Sequence, residues 1–132
     1  MIRKMEVEDI AKILVTKDDD FKNLFDCSVG EWVQFLVQNA GNDRFLMIGN
    51  TQDDKIDGYL IAINSRSFPG DPFVTVIYSK TAGLEINKES LGILKAWAKE
   101  EGAKEIRFIT NNEKGHQVYG FKRKAILMSM EL

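Results

Sequence analysis

The sequence predicts a mixed α/β fold in which a central, mostly antiparallel sheet carries helices on both faces, and three observations support it. Apolar residues follow helical spacing in EVEDIAKILV and SVGEWVQFLVQNAG, then change to strand-like runs in the middle of the chain. The run from Tyr59 to Ile63 is apolar at almost every position, which calls for cover on both faces of that strand. A single helical crossover separates FVTVIYS from EIRFIT, so these two strands are expected to lie in one mixed sheet.

The elements follow in order. Met1 to Met5 is a short mixed strand, and Val7, Ile10, Ile13 and Leu14 then recur at helical spacing behind acidic residues that suit a helix N-terminus. Asp18 to Asp20 is a solvated loop, followed by helical turns in DFKNLF and SVGEWVQFLVQNAG. In the second of these, Ser28 is the expected cap, Glu31 stands at the capping-box position, and Trp32, Phe35 and Leu36 form an apolar face. RFLMIGN and KIDGYLIAINSRS flank the turn-rich TQDD and predict an antiparallel hairpin. Pro69, Gly70 and Pro72 mark a connection to the strand FVTVIYS. Asn87 is the expected N-cap of the next helix, with Glu89 in its first turn. Leu91, Leu94, Trp97 and Ala98 form its apolar stripe, and Gly102 its C-terminal stop. EIRFIT is a buried strand. AILMSMEL is expected as a final strand with Ile126, Met128, Met130 and Leu132 on one face.

The 132 residues, 44% of them hydrophobic, suit one domain spanning 1–132 that buries roughly two thirds of its unfolded surface. Eighteen basic and twenty acidic residues are interspersed and give a formal net charge of -2, so nucleic-acid binding is not expected. Cys27 is the single cysteine, which excludes an intramolecular disulfide and a thiolate metal cluster. MIRKMEVEDI lacks a signal-peptide core and no apolar run is long enough to span a bilayer. A cytoplasmic protein without a membrane partner is the expectation.

Three segments, IRKMEVEDIAKI, LKAWAKEEGAKEIRFIT and NNEKGHQVYGFKRKAILMSMEL, resemble the GNAT superfamily of N-acetyltransferases, and the ending is similar to small, divergent GNAT-like proteins of bacteriophages and prophages. The resemblance implies acetyl-CoA as cofactor, a primary amine on a small molecule or peptide as acceptor, and a homodimer as a possible assembly. It also implies that FVTVIYS and EIRFIT splay apart at their C-terminal ends. Pantetheine would then bond to backbone near Val76, Ile77 and Tyr78, and the pyrophosphate would sit over the start of the next helix.

The family's phosphate loop runs Gln or Arg, two residues, Gly, one residue, Gly or Ala. Lys80, Thr81, Ala82 and Gly83 keep the basic first residue and the first glycine, but Glu85 closes the motif where a carboxylate would repel phosphate. Aligned on Trp97 and Gly102 instead, the register moves and Asn87 stands where glycine is expected. An altered cradle and an ordinary strand-to-helix loop both remain open.

In the ending, Asn111 or Asn112 matches the family's asparagine after the fourth long strand. The position of the tyrosine that protonates the departing thiolate holds His116, while Tyr119 stands next to the Gly120–Phe121 pair. His116 and Tyr119 are therefore the two candidate acids. Asp57, Tyr59, Ser65 and Tyr78 are the candidates to receive the amine proton, and spacing does not choose among them. No Ser-His-Asp elbow, metal-spaced His pair or nucleotide-hydrolase loop is present in the sequence. The sequence leaves two functional readings: an acetyl-CoA-dependent acyltransferase, or a GNAT-like structural or interaction protein that has lost the cofactor.

Overall fold

A computed structural model describes residues 1–13, 27–81, 87–110 and 113–132. The expected helical turns of DFKNLF, Leu14 and the Asp18–Asp20 loop lie outside them. Five strands form one sheet in sequential order: β1 (Ile2–Lys4), β2 (Phe45–Gln52), β3 (Lys55–Asn64), β4 (Phe73–Thr81) and β5 (Glu105–Phe108). The first three pairings are antiparallel and β4–β5 is parallel, as the crossover requires. A short 3-10 turn at Val7–Asp9 leads into α1 (Ile10–Ile13), and α2 (Val29–Asn39), α3 (Lys88–Glu100) and α4 (Glu113–Gln117) are the further helices among the described residues. Among the described residues no helix is long and apolar enough to cross a membrane.

Local chemistry explains the boundaries. Ser28 Oγ accepts the Glu31 amide at 3.1 Å while Glu31 Oε1 accepts the Ser28 amide at 3.0 Å, so the predicted capping box starts α2. Asn87 caps α3 through the Ser90 amide at 2.8 Å, with the Ser90 hydroxyl accepting in return from the Asn87 amide. At the other end Gly102 takes φ 75°. The Ala103 amide donates to Ala98 O and the Gly102 amide to Lys99 O, which closes a Schellman motif. The β2–β3 loop is the two-residue pair Asp53–Asp54, both at positive φ, as a twist-matched hairpin demands.

The sheet divides the core into two layers. Met47, Ile56, Tyr59, Ile61 and Tyr78 pack under α1 and α2 with Ile10, Ile13, Trp32 and Leu36. Leu46, Ile48, Leu60, Ala62, Val74 and Val76 pack against Leu91, Leu94 and Ala98 of α3. The apolar run at Tyr59 to Ile63 is thus covered from both sides. Two-sided burial also explains its lack of alternation.

One expected element is not formed. Residues 121–132 belong to no strand, and Ile126, Met128, Met130 and Leu132 are at least 72% exposed. The alternation that predicted a strand is real, but the segment does not pair with the sheet of its own chain.

Candidate functional site

β4 is the strand on which the site is built. Its pairing with β5 runs from Phe73↔Glu105 to Val76↔Phe108 and ends with the Ile109 amide donating to Val76 O at 3.2 Å. On its other side, Ala62 faces Val76 but Ile61 faces Tyr78, so Ile77 is an extra residue in the ladder. Such a bulge bends its strand and sharpens the local twist. The parallel pairing stops at the residue before it, and β4 continues to Thr81 alongside β3. Among the described residues, no strand pairs with that stretch on the β5 side. A fork between parallel strands results, with Val76 and Phe108 at its base.

Two aromatic groups flank the fork on opposite faces of the sheet. Under α2, the Tyr59 and Tyr78 rings lie 4.7 Å apart, Trp32 lies 5.5 Å from Tyr78, and the Trp32 Nε1–H donates to Tyr59 Oη at 2.8 Å. The bond leaves the indole nitrogen satisfied inside the core, where an unmade one would be costly. On the α3 side, His116 is only 3% exposed, its ring 4.2 Å from Phe108 and 5.9 Å from Phe121. The His116 carbonyl accepts the amides of Tyr119 and Phe121, which fixes the end of α4.

The two candidate acids therefore occupy different places. His116 reaches the base of the fork through Phe108. Tyr119 is half-buried and lines a groove of about 460 Å³ between the C-terminal half of α3 and the first residues of β5. His116 is thus a buried side chain packed against two aromatic rings and not a solvated one.

Of the cofactor candidates, Val76 closes the parallel ladder, Ile77 is the bulge, and Tyr78 begins the stretch beyond it, with the backbone of Lys80 and Thr81 completing β4. The Lys80 and Thr81 side chains, with Ala82, Gly83, Asn111 and Asn112, lie outside the described residues, so the phosphate loop does too. Among the proton-acceptor candidates, Tyr59 and Tyr78 are buried in the layer under α2 and Asp57 is exposed near the start of β3. Ser65 is at the far end, where its Oγ accepts the Phe73 amide at 2.9 Å and so ties β3 to β4. Sequence reasoning missed the bulge and the Trp32–Tyr59 bond. A run of β-branched and aromatic residues gives no sign of where its ladder will slip.

No protein-family model and no curated protein sequence matches the chain. Solved structures do. A glucosamine-6-phosphate N-acetyltransferase from Arabidopsis thaliana superposes with a TM-score of 0.72 at 16% identity, covering 99% of this chain and 97% of that one. A predicted acetyltransferase from Clostridium acetobutylicum, solved with acetyl-CoA, gives 0.72 at 14% identity over 99% and 95%. An aminoglycoside 6′-N-acetyltransferase from Acinetobacter baumannii gives 0.73 at 14% identity over 100% and 97%. The described residues have the GNAT fold that these acetyltransferases share.

Proposed function

We propose that this protein is an acyltransferase that moves an acetyl group from acetyl-CoA to a primary amine. The observation that carries the reading is the fork: β4 loses its β5 partner at Val76, one residue before the bulge at Ile77. Beyond that point one edge of β4 is bonded to β3 and no described strand pairs with the other, the arrangement in which an extended chain bearing amides adds to a sheet. Pantetheine is such a chain, and the backbone of residues 77–81 would hold it. Acetyl-CoA, when bound there, supplies the activated thioester carbonyl.

The chain's own groups divide the remaining work. His116, held against Phe108 at the base of the fork, would carry the proton that a departing thiolate needs. Tyr59 and Tyr78, on the other face, would wall the acceptor side, where aromatic rings favour an ammonium before it is deprotonated. Lys80 to Gly83 would receive the phosphates, and Asn111 or Asn112 would also contribute to the cofactor. Fold neighbours whose names specify amino sugars and aminoglycosides support a small-molecule amine as acceptor.

Thermal denaturation with and without acetyl-CoA and free CoA tests the reading. Ligand at about a hundred times its Kd adds roughly 2.7 kcal/mol to the folded state, a shift in Tm of several degrees. Release of CoA thiol across a panel of amines then measures turnover. An unchanged Tm at millimolar ligand would sink the proposal and leave the non-catalytic interaction protein as the reading that survives.

A further inference from the structure

Near its end β4 carries a residue that the fold alone does not explain. FVTVIY is β-branched or aromatic throughout, as a buried strand favours, and Ser79 then follows without that preference. The ladder pairs Ser79 with Leu60, which belongs to the layer beneath α3. Residues paired across an antiparallel ladder share a face, so the Ser79 side chain stands on the α3 side of the sheet. Phe108 and His116 meet on that same side.

The Ser79 Oγ is shut off from solvent, and no described residue hydrogen-bonds it. Two other serines buried in this fold are treated differently. Ser65 Oγ accepts the Phe73 amide at 2.9 Å, while Ser90 Oγ donates to Asn87 O at 3.1 Å and accepts the Asn87 amide at 3.2 Å. A buried hydroxyl without a partner has given up its bonds to water and gained none, which destabilises the chain that holds it. That penalty falls beyond the bulge at Ile77, where no described strand pairs with the β5-side edge of β4.

The position within the fork narrows what the hydroxyl would meet, on the premise of the acetyl-CoA reading. In that reading the thioester lies toward Val76 and His116, and the phosphates lie at Lys80 to Gly83. Ser79 is three residues beyond Val76, roughly 10 Å along an extended strand, and directly precedes the phosphate end. Counted from the sulfur, the arm of CoA runs through cysteamine and β-alanine to pantoate, the unit that carries the phosphate ester. Pantoate is therefore the part that passes Ser79. The arm's amides are the groups that an added strand bonds edge-on to the β4 backbone, in the plane of the sheet. Side chains stand roughly perpendicular to that plane, so Ser79 addresses a different group. Pantoate has one, the secondary hydroxyl on the carbon beside its carbonyl. A hydroxyl both donates and accepts, and it can match a serine in either sense.

We propose that Ser79 is a positioning residue for acetyl-CoA, its Oγ hydrogen-bonded to the pantoate hydroxyl. The contact sets how far the arm slides along β4, and with it where the thioester sits relative to His116. The same serine is a liability in the free protein and a contact in the bound one.

A cycle of protein and ligand tests the assignment. Wild type and Ser79→Ala are each titrated calorimetrically with CoA and with a CoA whose pantoate hydroxyl is replaced by hydrogen. Free Ser79→Ala should unfold at the same urea concentration as wild type or a higher one, because alanine buries no polar group. Either change alone should raise Kd by roughly three- to tenfold, the worth of one hydrogen bond, and both together by little more than either. Losses that multiply, an unchanged Kd for Ser79→Ala, or a lower urea midpoint for the free variant would each overturn the positioning role. Any of these with wild type still binding CoA leaves the acetyl-CoA reading standing. Wild type that binds neither ligand overturns that reading, and the role of Ser79 with it.

Discussion

His116 meets two demands at one position, filling space between aromatic rings and presenting an imidazole at the base of the fork. Substitution separates them. His116→Phe keeps the packing and removes the proton, so stability should change by about 1 kcal/mol or less while kcat/KM falls by roughly 10²- to 10⁴-fold, the usual worth of general acid catalysis. Tyr119→Phe should leave kcat/KM within about twofold, because Tyr119 lines the α3–β5 groove and not the fork. The reverse ranking in steady-state assays would return the role to Tyr119. Asp9 shows a second residue-level effect. Arg3 grips its carboxylate at 2.7 and 2.8 Å, the Glu6 amide adds a bond at 2.8 Å, and the Arg3 guanidinium holds Asp9 well below the usual carboxylate range despite burial. A depressed folded-state pKa stabilises fully above the unfolded value of about 3.9 and is lost as pH falls toward the folded one. Stability should therefore decline below about pH 4, and Asp9→Asn should flatten that limb of a pH–Tm curve.

At the scale of elements, what was legible is what is encoded locally. Ser28 with Glu31, Asn87 before α3 and Gly102 after it each act within a few residues, so their roles could be read before any contact was known. The bulge is different in kind. Ile77 is extra only relative to β3, and nothing in FVTVIYS distinguishes it from its neighbours. The fork, and with it the candidate site, depends on that pairing. Deleting Ile77 makes the point testable, because Val76↔Ala62 and Tyr78↔Ile61 would then be consecutive pairs in a regular ladder. The deletion variant should still unfold cooperatively, at a cost of about 1–2 kcal/mol for the lost packing. It should lose the acetyl-CoA-dependent Tm shift, since a straightened β4 would stay beside β5. A retained shift would show that the bulge does not make the opening.

Across the whole molecule the sheet acts as a partition, and the two-layer plan was visible in the unbroken apolar run of Tyr59 to Ile63. The fate of the last eight residues was not. Their alternation specifies a strand, and periodicity cannot say whether an edge of the sheet is there to receive it. The partition has an energetic consequence. Ile10 packs only in the layer beneath α1 and α2, and Ile48 only in the layer beneath α3. Both side chains are nearly inaccessible, at 2% and 1% exposure, so Ile10→Val and Ile48→Val should each cost about 0.5–1.5 kcal/mol. With the sheet between them and no shared cluster, their costs should add to within about 0.5 kcal/mol in urea denaturation of the double variant. Ile56→Val, in the same layer as Ile10, offers the contrast: a larger deviation from additivity there, and a small one across the sheet, is the pattern expected of two cores sharing one wall. Strong coupling between Ile10 and Ile48 would mean that the strands transmit strain from face to face and that the layers do not pack independently.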